Sequence, residues 1–234
     1  MRAASRLTTP GVYVYNPPEV NNVYKTILFD FDGTVFDTGE GIMKSVQYAA
    51  EAFGYREPDW QALRSFVGPP LVESFARRYN VDEETAKAMT AKYRERYSER
   101  GLDECSVYPG VVELVKYLRG MGARVAVATG KPTPFTVDIL ERHGLGGVFD
   151  DVLGSEFDGT RNHKWETMDI LLDRLGREGA VMIGDRDNDV IAARHCNIPC
   201  VGVSWGYAEP GELVSAGAVV VVDDTEELKN FLLR

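Results

Sequence analysis

From Tyr108 to the C-terminus, short apolar runs alternate with amphipathic helical stretches, and this alternation leaves the chain few architectures. The runs ARVAVAT (123–129), VFDDVLG (148–154), AVMIG (180–184), PCVGV (199–203) and AVVVVD (218–223) read as strands. Helical periodicity occupies the intervals, at Val111–Leu118, Phe135–His143, Lys164–Leu175, Asp189–Cys196 and Glu226–Leu233. An earlier run, YKTILFD from Tyr24, stops at the Asp-Gly turn of DFDGT and supplies the first strand. Strands joined by helices of this length need right-handed crossovers, which place them in one parallel sheet covered on both faces. The expected fold class is therefore α/β, with a doubly wound parallel sheet.

Between the first strand and Tyr108 the pattern changes. Amphipathic helices are expected at Glu40–Phe53, Pro70–Tyr79 and Asp82–Arg100, the last stopped by Gly101, and no strand interrupts them. A block without a strand cannot join the sheet, so it reads as an inserted all-helical cap. The expected organisation is an irregular N-terminal arm over 1–22, rich in Pro and Asn, a core made of 23–37 and 108–234, and a cap over 38–107.

A chain of 234 residues that is 44% hydrophobic can bury a core of this size. Its net charge of -10 argues against a nucleic-acid polymer as partner, because such binding needs a basic surface to displace counterions. No run approaches the roughly 20 apolar residues of a membrane helix, and the first residues lack the apolar stretch of a secretory signal. Cys105, Cys196 and Cys200 are an odd number without metal-ligand spacing. The expectation is a soluble, cytoplasmic protein with structural thiols and no membrane partner.

In an open parallel sheet, ligands bind beyond the carboxyl ends of the strands, where the strand order reverses. Polar residues stand at such ends: Asp30 and Asp32 after the first strand, Thr129 after the second, Lys164 at a helix start, and Asp185 with Asp189 after AVMIG. Each has an ordinary explanation alone. Asp-Gly is a common turn, a strand-end Thr or a helix Lys is commonly solvated, and GDRDND could cap the helix after it. What those explanations leave out is the fixed order of all four.

Together, DFDGT, the apolar strand ending in Thr129, Lys164 and GDRDND resemble the four ordered motifs of the haloacid dehalogenase superfamily, and the match spans Tyr24 to Arg234. The resemblance implies a Rossmann-like core and phosphoryl transfer, in which positioning and electrostatic stabilisation dominate. It implies Asp30 as nucleophile, Asp32 as general acid and base, Thr129 as donor to a transferring oxygen, and Lys164 as the cation beside the phosphoryl group. It also implies Mg²⁺, held by the carboxylates of Asp30 and Asp185, by the backbone carbonyl of Asp32, and by Asp189 from the second shell or through water. Acidic oxygen ligands suit that hard ion. Gly33 would let the backbone turn closely around the phosphate, with Thr34, Gly130 and Arg161 as further substrate-binding candidates.

Dehalogenases of the superfamily usually carry a non-acidic residue where Asp32 stands, and P-type ATPases carry Thr. Its presence therefore points to ester hydrolysis or to a phosphomutase. A helical insertion directly after the first motif, with a short stretch between Thr129 and Lys164, resembles the subfamily of phosphoglycolate phosphatase, β-phosphoglucomutase and several nucleotidases. FVGPPLVESF and GSEFDGTRNHK look most like bacterial proteins grouped with phosphoglycolate phosphatases and 5′-nucleotidases. The expected function is a magnesium-dependent phosphatase acting through an aspartyl phosphate on a small monoester: phosphoglycolate, a nucleoside monophosphate or a sugar phosphate. The alternatives are a β-phosphoglucomutase-like phosphomutase and a catalytically silent binding module. Gly68, Pro69 and Pro70 are expected either in a cap loop facing the site or simply at a helix start. Trp205 and Tyr207 are expected to wall the pocket or to pack on the sheet.

Overall fold

A computed structural model describes residues 24–234; the N-terminal arm expected over 1–22 lies outside the described residues. The chain enters through β1 (Thr26–Phe29), every residue of which is buried, as a strand covered on both faces requires. It leaves the core through β2 (Phe36–Asp37) and returns through β3 (Ser106–Val107), an antiparallel pair with Phe36 opposite Val107. Between them lie α1 (Gly39–Ala52), a 3-10 turn (Trp60–Phe66), α2 (Leu71–Tyr79), α3 (Glu83–Arg96) and a π-type turn (Tyr97–Gly101). Then follow α4 (Val111–Gly120), β4 (Arg124–Pro132), α5 (Thr133–Arg142), β5 (Asp151–Ser155), α6 (Lys164–Leu175), β6 (Ala180–Gly184) and α7 (Asp187–His195). The chain closes with β7 (Cys200–Val203), α8 (Glu212–Ala216), β8 (Val220–Val222) and α9 (Thr225–Leu232).

The main sheet has the order β5-β4-β1-β6-β7-β8, with every pairing parallel, so the doubly wound α/β architecture is present. Side chains of β1 alternate across it. Ile27 and Phe29 join the apolar cluster shared with α4, α5, α9 and the helical block, whereas Leu28 joins the cluster under α6, α7 and α8. From β1 the chain builds outward through β4 and β5, then crosses to β6 on the other side. The order thus reverses at β1, and the carboxyl ends of β1, β4 and β6 meet there.

Several boundaries differ from expectation, each for a local reason. Within VFDDVLG only the second half is strand: the Asp150 amide donates to the Val125 carbonyl (2.8 Å separates the Val125 amide from Asp150 Oδ2 in return), so Asp150 clamps the start of β4 instead of extending β5. Phe149, just before it, packs edge-on against Phe29. The helix expected over Asp82–Arg100 changes winding after Arg96. There Gly101 lies against the Tyr97 ring so closely that a Cβ would stand 2.4 Å from Tyr97 Cδ2. The strand expected to stop at Thr129 continues to Pro132 with an irregularity after Ala128, which carries Lys131 into the interior.

Candidate active site

Asp30 directly follows β1, and its amide donates to the Ile183 carbonyl at 2.8 Å, which fixes it at the junction of β1 and β6. The DFDGT turn closes when the Gly33 amide donates to the Phe36 carbonyl (2.7 Å) and the Val35 and Phe36 amides donate to the Phe31 carbonyl. Gly33 has φ +85, and a Cβ on it would stand 2.1 Å from Asp185 Oδ2, so both the turn and the approach to Asp185 require glycine.

Asp185 follows β6. Its Oδ1 accepts the Thr34 hydroxyl at 3.1 Å and its Oδ2 accepts the Tyr207 amide at 2.7 Å. Asp189 sits in the first turn of α7, where Oδ2 accepts the Arg186 amide (3.0 Å) as a helix cap while Oδ1 lies 2.5 Å from Lys164 Nζ. One carboxylate thus serves both the capping turn and the site. Lys164, the first residue of α6, also stands 2.9 Å from Asp30 Oδ1. Oxygens of Asp30, Asp185 and Asp189 all lie within 4.8 Å of one another, and all three residues are buried.

Three buried carboxylates therefore share one ammonium. Burial pushes Asp30 up to about 7 against the opposing pull of Lys164, with Asp189 and Asp32 adding to the rise. Asp185 is driven well above the usual carboxylate range by burial, then by Asp189 and Asp30. Burial pulls Lys164 down, but Asp189 and Asp30 outweigh it and hold the ammonium above its ordinary value. Among the described residues, Lys164 alone offers Asp30 Oδ1 a positive charge, and it divides that charge with Asp189. A group of oxygens so crowded and so short of positive charge fits a hard divalent cation.

The remaining candidates divide. Thr129 is buried on β4, and its hydroxyl accepts the Lys131 amide at 3.2 Å. The Gly130 carbonyl takes the Ser155 hydroxyl at 2.8 Å. Asp32 is gripped by the Thr38 hydroxyl (2.6 Å) and by Lys131 Nζ, which lies 2.8 and 3.1 Å from its two oxygens. Arg161, at φ +56, donates to the Gly154 carbonyl at 3.0 Å and pairs with Glu156, so its guanidinium is engaged within its own loop.

Lys131, Thr38 and Arg186 contact site residues in ways that the sequence pattern does not single out. Lys131 left a signal: it lies two positions beyond Thr129 on one strand, and such pairs share a face. Arg186 left none that is local. Its guanidinium bonds Glu212 (2.7 Å) and reaches the Val67 carbonyl (2.9 Å) of the FVGPP segment. That segment lies over β4, since a Cβ on Gly130 would stand 3.6 Å from the Gly68 carbonyl. Because α2 begins at Leu71, the segment is both a loop over the site and a helix start. Trp205 Nε1 donates to the Thr34 carbonyl (3.2 Å), and the Tyr207 hydroxyl takes the Gly39 amide (2.9 Å) while pairing with Asp37. All three cysteines are free thiols, two of them buried.

The family model described as haloacid dehalogenase-like hydrolase matches residues 27–203. The chain belongs to that family. A relative of this haloacid dehalogenase-like hydrolase, the 5′-nucleotidase of Pseudomonas aeruginosa, is 42% identical over 81% of this chain and 87% of its own length. The tyrosine-protein kinase PtkA of Mycobacterium tuberculosis is 34% identical over 83% of this chain and 67% of its own. Among solved structures, a predicted phosphatase from Clostridium acetobutylicum matches with a TM-score of 0.87 at 40% identity, covering 90% of this chain and 99% of that one. The chain is an enzyme of the phosphatase type, in a family that generally uses a divalent metal, and its aspartate cluster is able to hold one. No helix among the described residues is long and apolar enough to cross a membrane.

Proposed function

We propose that this enzyme hydrolyses small phosphate monoesters with Mg²⁺, carrying the phosphoryl group transiently on Asp30. The observation that supports this most is the state of Asp30 itself: a buried carboxylate at the reversal point of the sheet, with its Oδ1 2.9 Å from a buried ammonium and oxygens of Asp185 and Asp189 close beside it. In the first step an Asp30 oxygen bonds to phosphorus as the ester P–O bond breaks, and Asp32 gives its proton to the leaving oxygen. In the second, Asp32 takes a proton from the water that attacks phosphorus, which releases inorganic phosphate and restores Asp30.

Lys164 counters the charge gathered on the transferred group, and the Thr129 hydroxyl donates to one of its oxygens. Gly33 and Thr34 keep the turn tight beneath the phosphate, and Gly130 lines it on β4, facing the Gly68 carbonyl of the FVGPP segment. Arg161, committed to Glu156 and Gly154, has no contact with the phosphate on this reading. The residues that would hold Mg²⁺ are Asp30 and Asp185 by carboxylate, Asp32 by its carbonyl and Asp189 beside them; the bound ion would neutralise charge developing on the phosphoryl oxygens. Residues 38–107 act as a cap. Arg186 on the Val67 carbonyl, and Arg64 stacked over Tyr207, hold it against the core and so keep bulk water out.

A nucleoside monophosphate is the first substrate to try, on the strength of the Pseudomonas relative. A panel of nucleoside monophosphates, phosphoglycolate and sugar phosphates, assayed for released phosphate with Mg²⁺, tests the reading. Hydrolysis that disappears with a chelator and in Asp30→Asn is expected; turnover retained by Asp30→Asn would end it. Isomerised sugar phosphate from glucose 1-phosphate would indicate a phosphomutase instead.

A further inference from the structure

We infer that Lys131 is a positioning residue for the general acid, holding the Asp32 carboxylate in the orientation from which it protonates the leaving oxygen. The inference rests on the acid role of Asp32 proposed above. Lys131 is buried on β4 and delivers its ammonium to both oxygens of Asp32, at 2.8 and 3.1 Å, across 99 positions of sequence. The same ammonium lies 4.8 Å from the centroid of Tyr97, a fully buried ring supplied by the turn after α3. The Lys131 amide meanwhile donates to the Thr129 hydroxyl. One residue therefore touches two motif residues of the core and one ring of the helical block.

A buried ammonium is expensive to desolvate, and surface lysines are cheap, so a lysine placed here needs a partner that repays it. Asp32 lies in the DFDGT turn, where no regular element holds its side chain. Thr38 fixes one of its oxygens; Lys131 engages both and so sets the plane of the carboxylate. Proton transfer is sensitive to such placement, since a displacement of about 1 Å can cost about 100-fold in rate. Tyr97 closes the far side of the ammonium, so the arrangement is complete only when the helical block is packed on the core.

The test compares wild type with Asp32→Asn, Lys131→Met, Lys131→Arg and the double variant Asp32→Asn/Lys131→Met, in Mg²⁺, on two substrates. One is an alkyl monoester, whose leaving oxygen needs a proton; the other is p-nitrophenyl phosphate, whose phenolate leaves with little help. The reading is kcat/KM, which reports steps up to departure of the leaving group and is blind to the later role of Asp32 as base. Lys131→Met is expected to lose about 100-fold or more on the alkyl ester, the scale of general acid catalysis, and less than about a tenth of that factor on the aryl ester. The double variant should be no worse than Asp32→Asn, and Lys131→Arg, which keeps the buried charge, should fall between wild type and Lys131→Met with the same bias.

Equal loss on both esters in Lys131→Met and Lys131→Arg, with the bias present in Asp32→Asn, would overturn the positioning role alone. Absence of bias in Asp32→Asn would overturn the acid role and the inference with it. If Lys131→Met does not fold, Lys131→Arg decides by the same criterion.

Discussion

Removing divalent cations and raising the pH from 5 to 8 should destabilise this protein, by an amount that follows from Asp30. Its carboxyl is moved from 3.8 to about 7 in the folded chain, chiefly by burial. At about 1.4 kcal/mol per pH unit, a rise of about 3 units makes the ionised folded state about 4 kcal/mol less stable than it would be with an unperturbed group. The sign follows from proton counting. Between the unfolded and folded values the native state holds the proton and the unfolded chain does not, so stability falls as pH climbs through this window and levels off above it. Asp185, also raised, acts in the same direction.

Other shifted groups act outside the window. The favourable contribution of Lys164, raised from 10.5, is fully present below that value and so stays constant here. Partners lower Glu104, Glu57 and Asp82, whose support is lost only as pH falls through the carboxylate range. Between pH 5 and the folded value only about 2 of those units are crossed, which is about 3 kcal/mol, and a chain of this size moves about 2–4 °C in Tm per kcal/mol, so the melting temperature in chelator should drop by about 6–12 °C between pH 5 and pH 8. Magnesium at pH 8 should recover most of the loss, because it binds the ionised cluster of the folded state. Scanning calorimetry with chelator or with Mg²⁺ at both pH values reads this directly. A Tm in chelator that is flat or rises from pH 5 to pH 8 would refute the reasoning.

Gly33→Ala should be severely destabilising, since its left-handed φ costs a side chain about 1–2 kcal/mol before the collision with Asp185 is counted; denaturant unfolding measures the loss, and turnover should vanish with it. Lys164→Met should leave Asp30 and Asp189 facing each other unpaired, losing about 3–5 kcal/mol at pH 8 without metal and less at pH 5, where Asp30 keeps its proton. Arg186→Met removes the bond to the Val67 carbonyl and the pair with Glu212, a change of about 1.5–3 kcal/mol in denaturant unfolding, with faster proteolytic nicking of the FVGPP segment as a second reading.

The positions of Asp30 and Asp185 were legible in the sequence because a strand buried on both faces is a continuous apolar run, and the first polar residue after it marks its end. TILF and AVMIG show this plainly. The contacts that complete the site were not legible in the same way. Lys131 shares a strand with Thr129, but its partner Asp32 lies 99 positions away in sequence. Arg186 reads as an ordinary helix-start cation until the Val67 carbonyl is brought over it. Val148 and Phe149 carry strand-like apolarity, yet Phe149 spends it packing against Phe29 from a turn. Arg161 reads as a free cation near Lys164 only until Glu156 is seen beside it. In each case local chemistry was satisfied by a partner that only the folded chain supplies.

The most direct test is to mix the enzyme with excess substrate and Mg²⁺, quench in acid within the first turnovers, and map the added phosphoryl mass by peptide mass spectrometry. The expected result is a phosphoryl group on the peptide containing Asp30, absent from Asp30→Asn and discharged on returning the enzyme to neutral pH. Phosphate released at full rate with no phosphoryl group ever found on Asp30, or with one found on a different residue, would contradict it.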